Sequence, residues 1–182
     1  MTNREARFAE LGFPVVIVLA IVALFLVFKR QISRGAVLLK GHSAPNISFR
    51  LTDGRASSIA QLKGNVLLLH FWAGWCEPCK IEMPSLKKLE TEFNGRPFQI
   101  LAFNVEDAPP SREPWGSGLP RPKRFIFDFS KIELDPYDLT AIPVSVIVDK
   151  QGKVADTLVG PQEWESARLR RQIEALVNST TH

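Results

Sequence analysis

Residues 66–84 of the chain are VLLLHFWAGWCEPCKIEMP. The first seven form a short apolar run around one histidine, which is typical of a strand buried on both faces at the centre of a sheet. From the second cysteine onward, apolar residues recur with helical spacing as far as residue 93. We therefore predict a buried strand over residues 66–72, a short turn, and a helix over residues 79–93.

The two cysteines, Cys76 and Cys79, lie at the predicted start of that helix. Because residues i and i+3 share one helix face, the two sulfurs lie within disulfide reach. Cys76 would lie among unpaired N–H groups at the positive end of the helix dipole, which favours the thiolate, the nucleophile of disulfide exchange. Cys79, one turn deeper, would resolve the mixed disulfide. The pattern predicts a redox-active pair; the alternative is two buried structural cysteines.

Composition and charge exclude several classes of protein. The chain has two cysteines and three widely spaced histidines, too few and too scattered for a zinc site of about four ligands. The net charge of +4 would suit a nucleic-acid-binding protein. However, residues 1–42 hold six basic and two acidic residues, whereas residues 43–182 hold 17 of each. The excess positive charge belongs to the N-terminus, so we predict no nucleic-acid partner. Because the cysteines and histidines are too few and too scattered, we also predict no metal.

Residues 11–28, LGFPVVIVLAIVALFLVF, are an uninterrupted apolar run. As a helix with a rise of about 1.5 Å per residue, the run is long enough for the hydrocarbon core of a bilayer. It exceeds the usual apolar core of a cleaved signal peptide, the alternative. We predict a single-pass anchor between a tail at residues 1–10 and a linker at 29–42. By the positive-inside rule, the basic residues that flank this run mildly favour a cytosolic location for the domain that follows it. The rule is weak when a long domain follows the helix.

The remaining residues, 43–182, predict one mixed α/β domain. Its further elements are a hairpin of strands at 47–51 and 55–59, a strand at 98–104, a second hairpin of strands at 144–148 and 153–159, and a helix at 163–178. Residues 106–124 contain five prolines and two glycines. Because interior prolines break helices, we predict an insertion loop where a parallel crossover normally has a helix.

Residues 70–84, HFWAGWCEPCKIEMP, resemble the active-site segment of thioredoxin-fold proteins, and most closely that of the membrane-anchored TlpA/ResA-type thiol-disulfide reductases of bacteria. The resemblance extends from about residue 44, through the hairpin, Ile142-Pro143 and residues 160–164, to the last helix. It implies a thioredoxin-like mixed sheet flanked by helices, with an N-terminal β-hairpin and a single N-terminal transmembrane helix.

The resemblance also implies roles for residues around the cysteines, among them the motif residues Trp75 and Pro78. Pro143 matches a proline that is cis and faces the cysteine pair, and Ile142 would offer backbone hydrogen bonds to a substrate strand. Glu82 matches a glutamate near the thiols, where a carboxylate raises thiol pKa values or relays protons. An ordinary solvated helix glutamate is the alternative for Glu82.

The chain departs from the family pattern at several positions. His70 stands where thioredoxins have a buried aspartate and the TlpA/ResA type often has asparagine. A neutral histidine there would accept a proton from Cys79, or be a hydrogen-bonded core residue. Glu77 adds a negative charge inside the motif, and Val144 replaces the usual threonine after the cis proline.

The predicted function is that of a membrane-tethered thiol-disulfide oxidoreductase, without a cofactor, which reduces disulfides of extracytoplasmic proteins. The resemblance implies substrates in cytochrome c or copper-site maturation and a membrane electron donor of the CcdA/DsbD type. It also implies a location at the bacterial inner membrane, with the soluble domain facing the periplasm or cell exterior. The alternatives are an oxidant or isomerase of the same fold, and a copper-binding thiol chaperone.

Overall fold

The computed structural model describes residues 18–24, 38–51, 53–106, 122–126, 128–129, 134, 136–137, 139 and 141–180. Residues 18–24 of the predicted anchor are helical. Within the ranges just given, no helix has both the length and the apolar character needed to cross a membrane. The other anchor residues, the tail, residues 29–37 of the linker and residues 107–121 of the insertion loop lie outside the described residues.

A five-stranded mixed sheet forms the centre of the domain, in the order β5-β4-β3-β7-β8. The central strand β3 pairs in parallel with β4 and antiparallel with β7, and all seven of its residues are buried. The strands are β3 (Val66–Trp72), β4 (Phe98–Asn104), β5 (Phe125–Ile126), β7 (Val144–Val148) and β8 (Val154–Val159). The prediction of a central strand covered on both faces is confirmed.

One face of this sheet is covered by two helices, α1 (Glu77–Glu92) and α2 (Ala167–Asn178). Alternate residues of β3 point to this face and pack in one buried cluster with residues of both helices. The cluster includes Leu68 and Trp72 of β3, Met83 and Leu86 of α1, and Leu169 and Ile173 of α2. Cys76 and Cys79 belong to the same cluster, so the packing of the helices positions the cysteine pair.

The opposite face of the sheet is covered by a smaller three-stranded sheet in the order β2-β1-β6. Its strands are β1 (Ser48–Arg50), β2 (Ala56–Ser58) and β6 (Asp128–Phe129), and a short 3-10 helix follows at Ala60–Leu62. Leu67, Leu69 and Phe71 of β3 pack on this side against Phe49 and Tyr137. The structure confirms the expected N-terminal hairpin of β1 and β2 and the expected mixed sheet.

Apart from shifts of one or two residues at the ends of elements, such as the start of α1 at Glu77 and not at 79, two features differ from the sequence prediction. The last helix begins at residue 167 and not at 163, because Gln162 and Trp164 direct N–H groups to a side chain of α1. The short strands β5 and β6 were not predicted, since elements of two residues each carry no readable alternation.

Candidate active site

The start of α1 holds the cysteine pair. Cys76 is the N-cap residue, with extended backbone, and Cys79 lies in the first turn. The two are joined by a disulfide, with their Cα atoms 5.3 Å apart. The Cys79 backbone N–H donates a 3.3 Å hydrogen bond to Cys76 Sγ. The predicted proximity of the sulfurs and the orientation of a helix N–H group toward Cys76 are therefore confirmed.

The surroundings of the two sulfurs are unequal. Cys76 keeps 4% of its surface exposed, whereas Cys79 is fully buried. Two large apolar side chains beside the pair are open to solvent, Trp75 at 71% and Ile81 at 72% exposure. Among the cysteines, a protein partner can therefore reach only Cys76, and it would meet an apolar surface there.

Glu77 and Pro78, which separate the cysteines, lie on the exposed side of the first turn. The Glu77 carboxylate is 3.3 Å from Nζ of Lys80 one turn later. Lys80 thus partly offsets the negative charge that Glu77 introduces into the motif, although an exposed pair of this kind contributes little to stability.

The loop between β3 and α1 is held by residues at the end of the neighbouring strand β4. The Gly74 backbone N–H and the Asn104 side-chain amide each donate a 2.7 Å hydrogen bond to Oε2 of Glu106. The Glu106 backbone N–H in turn donates to Oδ1 of Asn104. Sequence analysis did not identify this pair; the available signal was two polar residues at the end of a buried strand parallel to β3.

The peptide bond between Ile142 and Pro143 is cis, as the resemblance implied. Pro143 immediately precedes β7, and its carbonyl oxygen accepts a 2.9 Å hydrogen bond from the Gly160 N–H. Ile142 packs against the buried cluster that contains both cysteines. Because Val144 pairs with Phe71 near the end of β3, these residues lie at the same edge of the sheet as the cysteine loop.

Glu82 is buried on α1, so the alternative of a solvated helix glutamate is wrong. Its Oε2 accepts hydrogen bonds of 3.0 Å from the Gln162 backbone N–H and 2.9 Å from the Trp164 indole N–H. Burial raises the pKa of Glu82 to about 7, although both hydrogen bonds act in the opposite direction. The carboxyl therefore changes its charge near neutral pH. Sequence analysis assigned no role to Gln162 or Trp164.

His70 lies on the helix-covered face of β3 and is fully buried. Its Nδ1 is 2.9 Å from Oγ of Ser145, the residue directly opposite on β7. Burial lowers the pKa of His70 to about 3, which keeps the ring neutral above that pH. His70 is therefore buried and hydrogen-bonded in the core, as one of the two alternatives for this residue predicted. The structure also brings its Nε2 to 3.5 Å from Oε1 of Glu82.

A groove of roughly 630 Å³ runs along the surface between α1 and the segment before α2. Glu82 lies at the base of this groove together with Trp164, and Ile81 and Ser85 line its α1 side. In the part of the chain that the structure describes, no group of three or more His, Cys, Asp or Glu side chains could hold a metal ion.

Comparison with known proteins places this geometry among thiol-disulfide proteins. The Redoxin family matches residues 39–173 of the chain. The chain is 26% identical over 164 residues to the thiol-disulfide oxidoreductase ResA of Bacillus subtilis, covering 88% of each protein. It is 32% identical over 124 residues to the thioredoxin-like protein YneN of the same bacterium, covering 66% of this chain and 72% of YneN.

Among solved structures, the chain is similar to a putative thiol:disulfide interchange protein DsbE from Chlorobium tepidum. The TM-score is 0.69 and the sequence identity 26%, over 78% of this chain and 99% of the other.

Proposed function

We propose, from the premise that the chain belongs to the Redoxin family and is a thioredoxin-fold thiol-disulfide oxidoreductase of the ResA type, that Cys76 and Cys79 carry its redox chemistry and that it works as a reductase. The observation that carries the assignment is the position of Cys76 as the N-cap of α1, with the Cys79 N–H directed at its sulfur. A helix N-terminus favours a thiolate at that sulfur.

The exchange proceeds in two displacements. The Cys76 thiolate attacks one sulfur of a substrate disulfide, so that a mixed disulfide forms and one substrate thiolate leaves. Cys79, held one turn away, then loses its proton and attacks Cys76 Sγ, which releases the second substrate thiolate. Two electrons pass to the substrate, and the chain is left with the Cys76–Cys79 disulfide. A dithiol donor restores the reduced pair by the reverse steps.

The neighbours of Cys76 suit a protein substrate. Trp75 and Ile81 offer exposed apolar surface on which a polypeptide would dock. In this proposal, the backbone of Ile142 before the cis Pro143 pairs with the extended segment that carries the substrate disulfide, as the resemblance implies. Pro78 and Glu77 set the short turn between the cysteines.

The apolar run at residues 11–28 supports a tether to the bacterial inner membrane, with the soluble domain in the periplasm or at the cell exterior. The proposed substrates are cysteines of apocytochrome c or of copper-site proteins, and the proposed donor is a membrane protein of the CcdA/DsbD type. A tether would raise the effective concentration of the reductase beside a donor in the same membrane.

A trapping experiment tests the proposal. With Cys79→Ala, the mixed disulfide on Cys76 cannot be resolved, so the full-length variant in membranes should accumulate covalent adducts with its partners. A Cys76→Ala/Cys79→Ala variant is the matched control and should trap nothing. Periplasmic partners support the proposed location, and cytosolic partners contradict it.

The direction of electron flow needs a separate measurement. Cys76→Ser should abolish reduction of a test disulfide by the full-length protein, and retained activity would refute the assignment. A reduction potential near that of strongly oxidising dithiols, about −120 mV, would overturn the reductase direction in favour of an oxidant. Stoichiometric Cu(I) binding without disulfide exchange would instead indicate a copper chaperone.

A further inference from the structure

The described part of the linker, residues 38–42, lies along the outer edge of β8, the last strand of the five-stranded sheet. Ser43, which follows it, forms a β-bridge with Lys153, and Lys153 immediately precedes β8. Further back in the chain, the Leu38 carbonyl accepts a 3.4 Å hydrogen bond from the Thr157 hydroxyl. From residue 43 back to residue 38, the chain therefore advances along β8 toward the C-terminal end of that strand.

The C-terminal end of β8 belongs to the end of the domain that carries the redox pair. Val159, the last residue of β8, pairs with Val144 of β7, which pairs in turn with Phe71 near the end of β3. Because neighbouring strands are about 4.8 Å apart, Val159 lies roughly 10 Å from Phe71 across the sheet. We call this part of the molecule the redox end and define it by Cys76, Pro143 and Val159. The chain leads from residue 38 toward this end.

The opposite end of the domain holds the turn between β7 and β8 and the C-terminus of the chain. Lys150 of this turn donates hydrogen bonds from Nζ to the carbonyls of Val177 (2.6 Å) and Ser179 (2.8 Å) at the end of α2. We call this the far end and define it by residues 149–152 and 177–179. The linker and the C-terminus therefore lead away from the domain in opposite directions.

The exposed apolar side chains of the domain gather toward the redox end. Outside the apolar run at residues 11–28, the large apolar side chains that are more than half exposed, among the residues described, are Leu39, Trp75, Ile81 and Val159. Trp75 and Val159 lie at the redox end, Ile81 follows on α1, and Leu39 lies on the segment that leads there. An apolar patch on one side of a domain marks a contact surface. Tryptophan in particular suits the boundary between membrane and water.

The linker is short relative to the domain that it holds. Residues 29–37 connect the end of the apolar run to Leu38. A flexible chain of this length spans about 18 Å on average, whereas a domain of about 140 residues has a diameter of roughly 35–40 Å. Since the linker already leads toward the redox end, turning the far end to the membrane would require the linker to stretch back along the domain. A short linker therefore favours one orientation.

We propose that the redox end faces the membrane, so that Cys76 exchanges disulfides with cysteines of an integral membrane protein that lie close to the lipid headgroups. The proposal rests on the proposed function, both on the tether at residues 11–28 and on the redox role of Cys76. Trp75 and Val159 then lie between the domain and the bilayer and contact the apolar surface of that partner. A folded soluble protein would have to enter the same narrow space, and it is therefore disfavoured as a partner.

The exchange itself keeps the balance described for the proposed function. When the membrane partner is a dithiol, one of its thiolates attacks Cys76 Sγ and the Cys76–Cys79 bond breaks. The second partner thiolate then displaces Cys76, so the partner is left with a disulfide. The partner has lost two electrons and two protons, and the cysteine pair has gained them. The orientation changes only which partner cysteines can reach Cys76.

Fluorescence quenching tests the orientation in the full-length protein. In a Cys76→Ala/Cys79→Ala background, Val159→Cys and Lys153→Cys each place a single bimane label at an exposed site, at opposite ends of β8. The vesicles contain phosphatidylcholine and phosphatidylglycerol with a nitroxide on the headgroup. Because the two sites are about 20 Å apart along the strand, we expect quenching at residue 159 to be at least about twofold stronger. Equal quenching, or stronger quenching at residue 153, overturns the proposal.

A kinetic comparison tests the consequence for partners. The probe is a disulfide peptide coupled to the lipid headgroup by a short spacer, and a soluble disulfide peptide is the reference. In the matched variant, residues 1–37 are moved behind His182, so the same anchor holds the domain by its far end. Both proteins should reduce the soluble peptide equally, whereas the variant should reduce the headgroup-linked peptide at least about tenfold more slowly. Equal rates on the headgroup-linked peptide overturn the proposal.

The outcomes separate this proposal from the proposed function. If Cys76→Ser still reduces the soluble peptide, the redox assignment fails. If the wild type does not float with vesicles, the tether fails and the orientation fails with it. If the wild type floats and reduces the soluble peptide, but the labels at residues 153 and 159 are quenched equally, only the orientation fails. Should the rearranged variant not fold, which loss of activity on the soluble peptide reveals, the two labels decide the question.

Discussion

The indole N–H of Trp164 donates a 2.9 Å hydrogen bond to Oε2 of Glu82, across 82 residues of sequence. Both side chains are buried, and the Gln162 backbone N–H donates to the same oxygen. The contact joins the segment before α2 to the helix that carries the cysteines. It therefore fixes the carboxyl beside the redox pair.

Trp164→Phe should destabilise the protein more at pH 8 than at pH 5. Removing the indole N–H takes away a hydrogen bond that lowers the pKa of Glu82, so this pKa should rise further above its ordinary value. At pH 8, the ionised carboxylate loses a charge-assisted bond, which we expect to cost about 2 kcal/mol. Urea unfolding at the two pH values measures the difference.

The matched comparison is the same substitution in a Glu82→Gln background. There the carboxylate is absent, so the extra loss at pH 8 should vanish and only the cost of the smaller ring should remain. An equal loss at both pH values in the Glu82-containing protein would contradict the prediction.

The stability of the wild type should be nearly independent of pH between about 4.5 and 6.5 as far as His70 and Glu82 are concerned. Glu82, with its pKa raised from 4.5 to about 7, contributes stability that is lost as pH rises through about 7. His70, with its pKa lowered from 6.5 to about 3, contributes stability that is lost as pH falls toward about 3. The two slopes are opposite, so they offset each other where they overlap.

Single substitutions should expose each slope. Glu82→Gln leaves the His70 contribution, so its stability should rise with pH from about 3 to about 6.5. His70→Asn leaves the Glu82 contribution, so its stability should fall from about pH 4.5 to about pH 7. The melting temperature at half-unit pH steps gives both curves. Parallel curves for the two variants would show that burial does not shift the pKa values in opposite directions.

Glu106→Ala should slow disulfide exchange. The substitution removes the acceptor for the Gly74 N–H, and with it the link that holds the cysteine loop to the end of β4. We expect a loss of about 2 kcal/mol in stability, typical of hydrogen bonds to a charged acceptor. Because a loosened loop positions Cys76 poorly, we also expect an exchange rate lower by about tenfold. Single-turnover reduction of a test disulfide measures the rate.

Glu174→Ala is the control for Glu106→Ala. Glu174 lies on α2 and pairs with Arg96 at the surface, so its loss should leave the exchange rate unchanged. Asn104→Ala should add little in a Glu106→Ala background, because both side chains belong to one hydrogen-bonded unit. Additive effects of these two substitutions would contradict the assignment.

Tyr137 should remain protonated far above its usual range. It is buried, its hydroxyl donates a 2.7 Å hydrogen bond to the Pro45 carbonyl, and burial raises its pKa. Since Tyr137 is the chain's single tyrosine, absorbance at about 295 nm reports its ionisation alone. We expect no phenolate signal until alkaline unfolding, and a signal near pH 10 with the fold intact would refute this. Tyr137→Phe should cost about 1 kcal/mol.

Much of the fold could be predicted from the sequence because its central elements carry strong local patterns. The predicted bounds of β3, β4 and β7 agree with the structure, since a continuous apolar run marks a strand buried on both faces. The hairpin of β1 and β2 was marked by its Asp-Gly turn. The start of α2 was misplaced, because a contact between the preceding segment and Glu82 has no local signature.

The candidate site likewise has one part that the sequence predicts and another part that only the tertiary structure shows. The sequence by itself determined the cysteine pair, its place at a helix start and its disulfide, because a separation of three residues on one helical turn fixes their distance. Only the tertiary structure decided that His70 lies against Ser145 and Glu82, and that Trp164 binds Glu82 across 82 residues of sequence. The tertiary structure also decided the charge states of His70 and Glu82, because loss of water on burial shifts the pKa values of both side chains from those usual for their residue types.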